Sequence, residues 1–182
     1  MVIKKTMIEG LIEIIPSVFS DERGYFFELY QNQKFKGLGL NMTFIQDNQS
    51  FSKKNVIRGL HFQNAPYSQG KLVMAVTGKV LDIVLDLRSG SPTFGKHEKI
   101  ILDSRIHNML YIPEGFAHGF STLEDSVFFY KCTTYYNKSA DGGIRWNDPE
   151  LNIDWEVNSP IISEKDKSLP TFAEFKHKVG LT

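Results

Sequence analysis

The chain has 182 residues, and a prior of about 150 residues per domain leaves room for one domain and little more. Its 21 Lys and Arg balance 21 Asp and Glu, which argues against a protein held on nucleic acid or anionic lipid by a bulk positive field. Hydrophobic residues at 41% supply a core, and the single cysteine, Cys132, excludes an internal disulfide framework and a Cys-based zinc site.

Near the N-terminus, Lys4 and Lys5 imitate a basic signal region, but Glu9 and Glu13 break the apolar stretch behind them. No run approaches the roughly 18 apolar residues of a membrane span. One thiol and no export signal make a cytoplasmic protein the expectation, with no membrane and no nucleic acid among its partners. Strand-like runs then follow one another: Leu11 to Ile15, Gly24 to Tyr30, Met42 to Phe51 and Lys71 to Thr77. Val80 to Leu87 comes next, with Leu81, Ile83, Leu85 and Leu87 at odd positions and Val80, Asp82, Val84 and Asp86 at even ones. That alternation predicts a strand with one apolar face and one face that tolerates charge. His97 to Leu102, Asn108 to Ile112, His118 to Leu123 and Ser126 to Tyr136 complete the series. Turn signals separate several of them, including Asp21-Glu22-Arg23-Gly24, Thr77-Gly78-Lys79 and Ser89-Gly90-Ser91-Pro92. Short helices are expected near Gln31 to Lys36 and Thr171 to Lys178. Many short strands in one domain indicate an all-β sandwich or barrel.

Four segments set polar groups into apolar strands: Arg58 to Gln63, the run opened by Lys71, Gly115 to Phe120, and Phe128 to Tyr136. Buried charge is costly unless paired, so such residues tend to surround a cavity. A metal site is not expected. His61 is followed by Phe62-Gln63, so the paired-histidine motif of metal-binding cupin barrels is missing, and His61 with His118 alone makes a poor ligand set. His97, His107 and His177 read as surface or structural residues. For acid–base chemistry, a histidine fixed by a carboxylate serves as base and a tyrosine as acid. Tyr130 and Tyr136 are six residues apart, an even step that would put both on one strand face with Phe128 and Thr134. On composition alone, packed core aromatics are the better account of that pattern. Arg23 and Arg58 suit a diphosphate, although a surface ion pair is the commoner role of a single arginine. Neither a P-loop nor a Gly-x-Gly-x-x-Gly motif occurs, so no nicotinamide site is supported.

The segments Asp21 to Glu28, Gln46-Asp47-Asn48, Val56 to Gln63, Gln69 to Val73, Asp86 to Gly95, Ile112 to Phe120, Tyr130 to Tyr136, Trp146 to Pro149 and Ser163 to Asp166 carry a resemblance in chain order. They resemble the dTDP-4-dehydrorhamnose 3,5-epimerase family, cofactor-free sugar-nucleotide epimerases built on a cupin-type jelly roll. The resemblance implies a single cupin-like domain over residues 1–182, with strands within 1–50 contributing to a homodimer. It implies His61 as base, Asp166 as its partner in a dyad, and Tyr130 as acid on the other face of the sugar. Lys71 and His118 would line the sugar site. Arg23, Phe26 and Glu28 would reach the nucleotide of the neighbouring subunit. Gln46, Asp47, Asn48, Arg58, Tyr136, Asp141 and Lys165 would complete the substrate contacts. Asp141 stands where the family more often has Glu, and Asn137 where Pro is common. Both bear on nucleotide or sugar preference and not on the chemistry.

The implied reaction needs neither metal nor cofactor, because a 4-keto sugar is acidic at both carbons beside its carbonyl. The expected product is dTDP-4-dehydro-L-rhamnose, made from dTDP-4-dehydro-6-deoxy-D-glucose for dTDP-L-rhamnose and polysaccharide biosynthesis. The alternative is a sibling that inverts only one carbon. More distant readings are a metal-dependent cupin and a non-catalytic sugar-binding barrel.

Overall fold

Alternating apolar residues dominate the chain, and among the described residues, 1–181 of the computed structural model, they form thirteen strands and three short helices. Strands β1 (Val2–Lys5), β2 (Ile12–Ile15), β5 (Gln46–Ser52), β7 (Lys71–Thr77), β10 (Met109–Ile112) and β12 (Ser126–Cys132) build one sheet in the order β1-β2-β10-β7-β12-β5. Strands β6 (Ile57–Gln63), β8 (Lys79–Asp86), β9 (His97–Asp103), β11 (Phe116–Thr122) and β13 (Asp141–Gly143) build the second, in the order β13-β6-β11-β8-β9. The pairings within both sheets are antiparallel. A separate hairpin joins β3 (Val18–Asp21) to β4 (Gly24–Phe27). The helices are α1 (Asn32–Gly37), α2 (Glu164–Lys167) and α3 (Phe172–Lys178).

The sheets face each other across a core of Val73, Ala75, Val80, Val84, Leu110, Phe120 and Phe128. Their outer faces are covered as well. The N-terminal region lays Ile14, Phe35, Leu40 and Met42 against Leu72 and Met74 of the six-stranded sheet. The C-terminal region lays Ile144, Trp155, Phe172 and Phe175 against Leu81, Ile83 and Leu85 of the five-stranded sheet. Strand β8 has the apolar face and the charge-tolerant face that its alternation predicts. Its two faces are both buried, and the charge-tolerant face carrying Asp82 points into the space between the sheets.

Local chemistry explains the boundaries. Gly78 turns β7 into β8 with φ of +73°, and a Cβ there would lie 2.3 Å from the Asp125 carbonyl oxygen, so no larger residue fits. Helix α3 begins with a capping box in which Thr171 and Glu174 satisfy each other's backbone N–H groups. Strand β5 begins at Gln46 and not at Met42, because Met42 and Phe44 turn onto the outer face of the six-stranded sheet. Strand β12 stops at Cys132, so the even-step argument linking Tyr130 to Tyr136 does not extend along a regular strand. The expected run Gly24 to Tyr30 likewise ends at Phe27, and Leu29 and Tyr30 pack beside Phe35.

Candidate active site

Alternation decides which side chains enter the space between the sheets. On the six-stranded sheet, Tyr130 lies opposite Asn48 and Val73, and Cys132 opposite Gln46 and Lys71. These positions turn Gln46, Asn48, Ser50, Lys71, Phe128, Tyr130 and Cys132 inward. On the five-stranded sheet, His61 of β6 lies directly opposite His118 of β11. Both imidazoles line a cavity of about 540 Å³ together with Arg58, Gln63 and Phe120. Tyr136, Asp141, Lys165 and Asp166 line the same cavity from loops, β13 and α2.

The approach of β6 to β11 depends on glycine. Gly59 has φ of +122°, and a Cβ on it would lie 2.5 Å from Gly119 Cα. The register shifts between His118 and Phe120 at this crossing. The Gly59 N–H is thereby free to donate to Asp166 Oδ2 at 3.2 Å, and Asp166 Oδ1 meets His61 Nε2 at 2.7 Å. Ser163, the N-cap of α2, accepts from the Asp166 backbone N–H at 3.1 Å. Asp166 is 5% exposed and His61 33%, so a buried carboxylate orients an imidazole that reaches the cavity. Burial works against the Asp166 charge, but the bonds from His61, Gly59 and Ser163 hold its carboxyl below the ordinary value.

On the opposite wall, burial raises the Tyr130 phenol, with Cys132 adding to the rise and Arg58 opposing it, so Tyr130 keeps its proton well past neutral pH. Burial lowers the Lys71 ammonium, while Cys132, Asp82 and Asp141 favour its charged form. Arg58 is steered by Ser52 Oγ at 3.0 Å and the Phe51 carbonyl at 3.3 Å. At the mouth, Asp141 receives Lys165 and the Tyr136 hydroxyl, and the Tyr136 backbone N–H donates to Gln46 Oε1 at 2.9 Å. His118 Nε2 meets Asp82 Oδ2 at 2.8 Å, with both residues buried. The arrangement offers a carboxylate-backed imidazole, a protonated phenol on the facing sheet, and the Arg58 and Lys71 cations in the same cavity.

Eleven of the fifteen residues expected at the site therefore meet in one cavity: His61, Tyr130, Asp166, Gln46, Asn48, Arg58, Lys71, His118, Tyr136, Asp141 and Lys165. Four do not. Asp47 falls at an odd position of β5, points outward and pairs with Lys131 Nζ at 2.7 Å. Alternation thus separates its side chain from those of Gln46 and Asn48. Arg23 is exposed on the β3–β4 hairpin and paired with Asp21, Phe26 is 69% exposed beside it, and Glu28 pairs with Lys34. These three sit away from the cavity of their own chain. Residues not singled out from the sequence also line it, among them Ser50, Gln69, Cys132 and Ser163. The Ser-x-x-Asp spacing of an N-cap is the signal that would have found Ser163. Among the described residues no group of three or more His, Cys, Asp or Glu side chains is placed to hold a metal ion.

A family model described as dTDP-4-dehydrorhamnose 3,5-epimerase matches residues 5–174. The Salmonella typhimurium enzyme of that name is 48% identical over 173 residues, covering 93% of this chain and 94% of the relative. A Legionella pneumophila epimerase, solved in complex with dTDP-4-keto-L-rhamnose, superposes with a TM-score of 0.93 at 40% identity, covering 98% of this chain and 96% of that one. A 3′-monoepimerase from Streptomyces bikiniensis, in complex with dTDP-quinovose, superposes with a TM-score of 0.89 at 31% identity, covering 97% and 90%. The cupin-type jelly roll is thus shared across the group. The family model matches most of the chain and relatives above 40% identity cover more than nine-tenths of it, so this chain belongs to the dTDP-4-dehydrorhamnose 3,5-epimerase family.

Proposed function

We propose that the chain converts dTDP-4-dehydro-6-deoxy-D-glucose to dTDP-4-dehydro-L-rhamnose, an isomerase step in dTDP-L-rhamnose biosynthesis. The observation that carries this reading is the placement of two proton-transfer groups on facing sheets: His61 backed by Asp166 on one, and Tyr130 on the other. A sugar ring held between them exposes one face to each. The 4-ketone makes the hydrogens on C3 and C5 acidic. His61 Nε2 is taken by Asp166, so Nδ1 is the atom that removes a proton. The resulting enolate carries its negative charge on the former carbonyl oxygen, where the Lys71 ammonium stabilises it by a charge-assisted hydrogen bond. Tyr130 then delivers its proton from the opposite face and the carbon is inverted. Exchange with solvent takes the proton from His61 and returns one to Tyr130, and repetition at the second carbon then completes the change of configuration. No step calls for a metal or an organic cofactor.

Arg58, Gln46, Asn48, Tyr136, Asp141 and Lys165 serve the nucleotide and diphosphate in this reading. The whole span 1–182 works as one domain. The β3–β4 hairpin carries Arg23 and Phe26 away from their own cavity and exposes Phe19, Tyr25 and Phe26. This supports a homodimer in which the hairpin, with Glu28 behind it, completes the partner's nucleotide site. The free thiol of Cys132 suits a reducing compartment, and the cytoplasm is the proposed location. No helix among the described residues is long and apolar enough to cross a membrane.

The test is solvent-deuterium wash-in. His61→Asn retains bulk and loses the base, and should cut exchange at both carbons by about 10²- to 10⁴-fold. Native exchange rates in that variant would refute the assignment. A single-carbon epimerase is the second reading, favoured by the 3′-monoepimerase whose fold matches at 31% identity. The stereochemistry of the product, read by NMR, separates the two.

A further inference from the structure

His118, which lines the cavity, belongs to a second histidine–carboxylate pair that the proton-transfer steps do not use. His118 lies directly opposite His61 across β6 and β11, and its Nε2 meets Asp82 Oδ2 at 2.8 Å. In the first pair His61 is 33% exposed, whereas the second pair is enclosed: His118 is 8% exposed and Asp82 fully buried. His118 lies roughly parallel to the Phe128 ring, with centroids 6.1 Å apart and planes at 22°. Asp82 Oδ1 is buried and hydrogen bonds to no protein atom. A buried carboxylate with one free oxygen is unfavourable unless a nearby cation offsets its charge. Lys71, inward on the facing sheet, is that cation.

We propose that Asp82 is a positioning residue for the sugar end of the cavity: its carboxylate accepts the Nε2–H of His118, leaving Nδ1 as a hydrogen-bond acceptor for a sugar hydroxyl, and it supplies the counter-charge that keeps Lys71 an ammonium. The proposal rests on the reading of this cavity as a sugar-nucleotide site. The hydrogen bond selects the tautomer, because the Asp82 carboxylate only accepts and so holds the proton on Nε2. Phe128 packs against the ring and the carboxylate fixes its rotation, so Nδ1 is presented at a constant place. A hydroxyl next to the reacting carbons would donate to it, and the ring would be held against turning as its geometry changes. Burial raises the Asp82 carboxyl and lowers the Lys71 ammonium, and each opposes the shift of the other. The charged and titratable groups facing Lys71 are Asp82 from β8, Cys132 from β12 and Asp141 from β13, and those facing Asp82 are His118 and Lys71.

Asp82→Asn keeps the side-chain volume, removes the charge and offers His118 an amide donor, which favours the opposite tautomer. The full chain with ¹⁵N-labelled histidine has five imidazoles to assign by long-range ¹H–¹⁵N correlation. In the wild type without substrate, His118 should carry its proton on Nε2. In Asp82→Asn it should shift towards Nδ1–H. Turnover of the keto-sugar nucleotide should fall about 10- to 100-fold, the range typical for the partner of a functional histidine, with KM nearly unchanged. The alkaline limb of the rate profile should move to lower pH, because Lys71 without its counter-charge loses its proton sooner. A purely structural role would move neither the tautomer nor the limb. An Nδ1–H tautomer or an imidazolium at His118 in the wild type at neutral pH overturns the proposal, even if the variant fails to fold. So does a folded variant with unaltered tautomer and pH profile. A wild type with the Nε2–H tautomer but no activity on the keto-sugar nucleotide would instead refute the proposed function.

Discussion

His61 and Tyr130 differ in what their loss should do, because in the proposed mechanism one begins each inversion and the other ends it. Tyr130→Phe keeps the ring packed against the core and removes only the proton that is returned. Inversion should slow by about 10²- to 10⁴-fold while wash-in from solvent falls less. NMR in D₂O reads both in one sample, and equal losses would place Tyr130 earlier in the sequence of steps. Lys71→Met should cost turnover more than binding, since the charge it meets develops only at the enolate. His61, Tyr130 and Asp166 stood out through the motifs around them, but their convergence in one cavity did not. Asp166 lies 105 residues beyond His61, and only the fold brings them together. Asp47 shows the converse. It is adjacent to Gln46 and Asn48 in sequence, and strand alternation sends it to the outer face.

At the scale of elements, the β6–β11 crossing is the most demanding joint. Gly59→Ala would force a Cβ to within 2.5 Å of Gly119 Cα from a backbone that L residues rarely adopt. The expected outcome is a large drop in the melting midpoint or loss of folding, read by calorimetry. The end of β8 is a second joint. Burial opposes the charge of Asp86, but hydrogen bonds from Arg88, Ser91 and Thr93 overcome it and lower its carboxyl to about 2. Because the folded value lies below the ordinary one, this stabilisation is present above the unfolded value of 3.8 and is lost as pH falls through about 2. Asp86→Asn should therefore destabilise the protein at neutral pH by about 3 kcal/mol and flatten its acid denaturation between those values. A continuous apolar run such as β7 was legible to the residue. The strands β1, β3 and β13 were not. Asp141–Gly143 has no strand propensity of its own and exists because it pairs with β6.

For the molecule as a whole, an all-β architecture was legible from short alternating runs between turns. The covering of both outer faces was not, because Leu72, Leu81 and their neighbours read as one half of an amphipathic strand until the N- and C-terminal regions are seen to pack on them. The proposed dimer belongs to this scale. Phe26→Asp places a charge on the exposed hairpin and should leave the melting midpoint near the wild type. It should shift sedimentation towards the monomer and raise KM for the nucleotide sugar. Unchanged sedimentation and KM would contradict the proposed dimer. The central claim is that an imidazole and a phenol reach opposite faces of one keto-sugar ring. It is tested most directly by incubating the wild-type protein with dTDP-4-keto-6-deoxyglucose in D₂O and following both carbons by NMR. The account predicts deuterium at C3 and C5 with both centres inverted. Deuterium at neither carbon, or exchange with every centre retained, would contradict it.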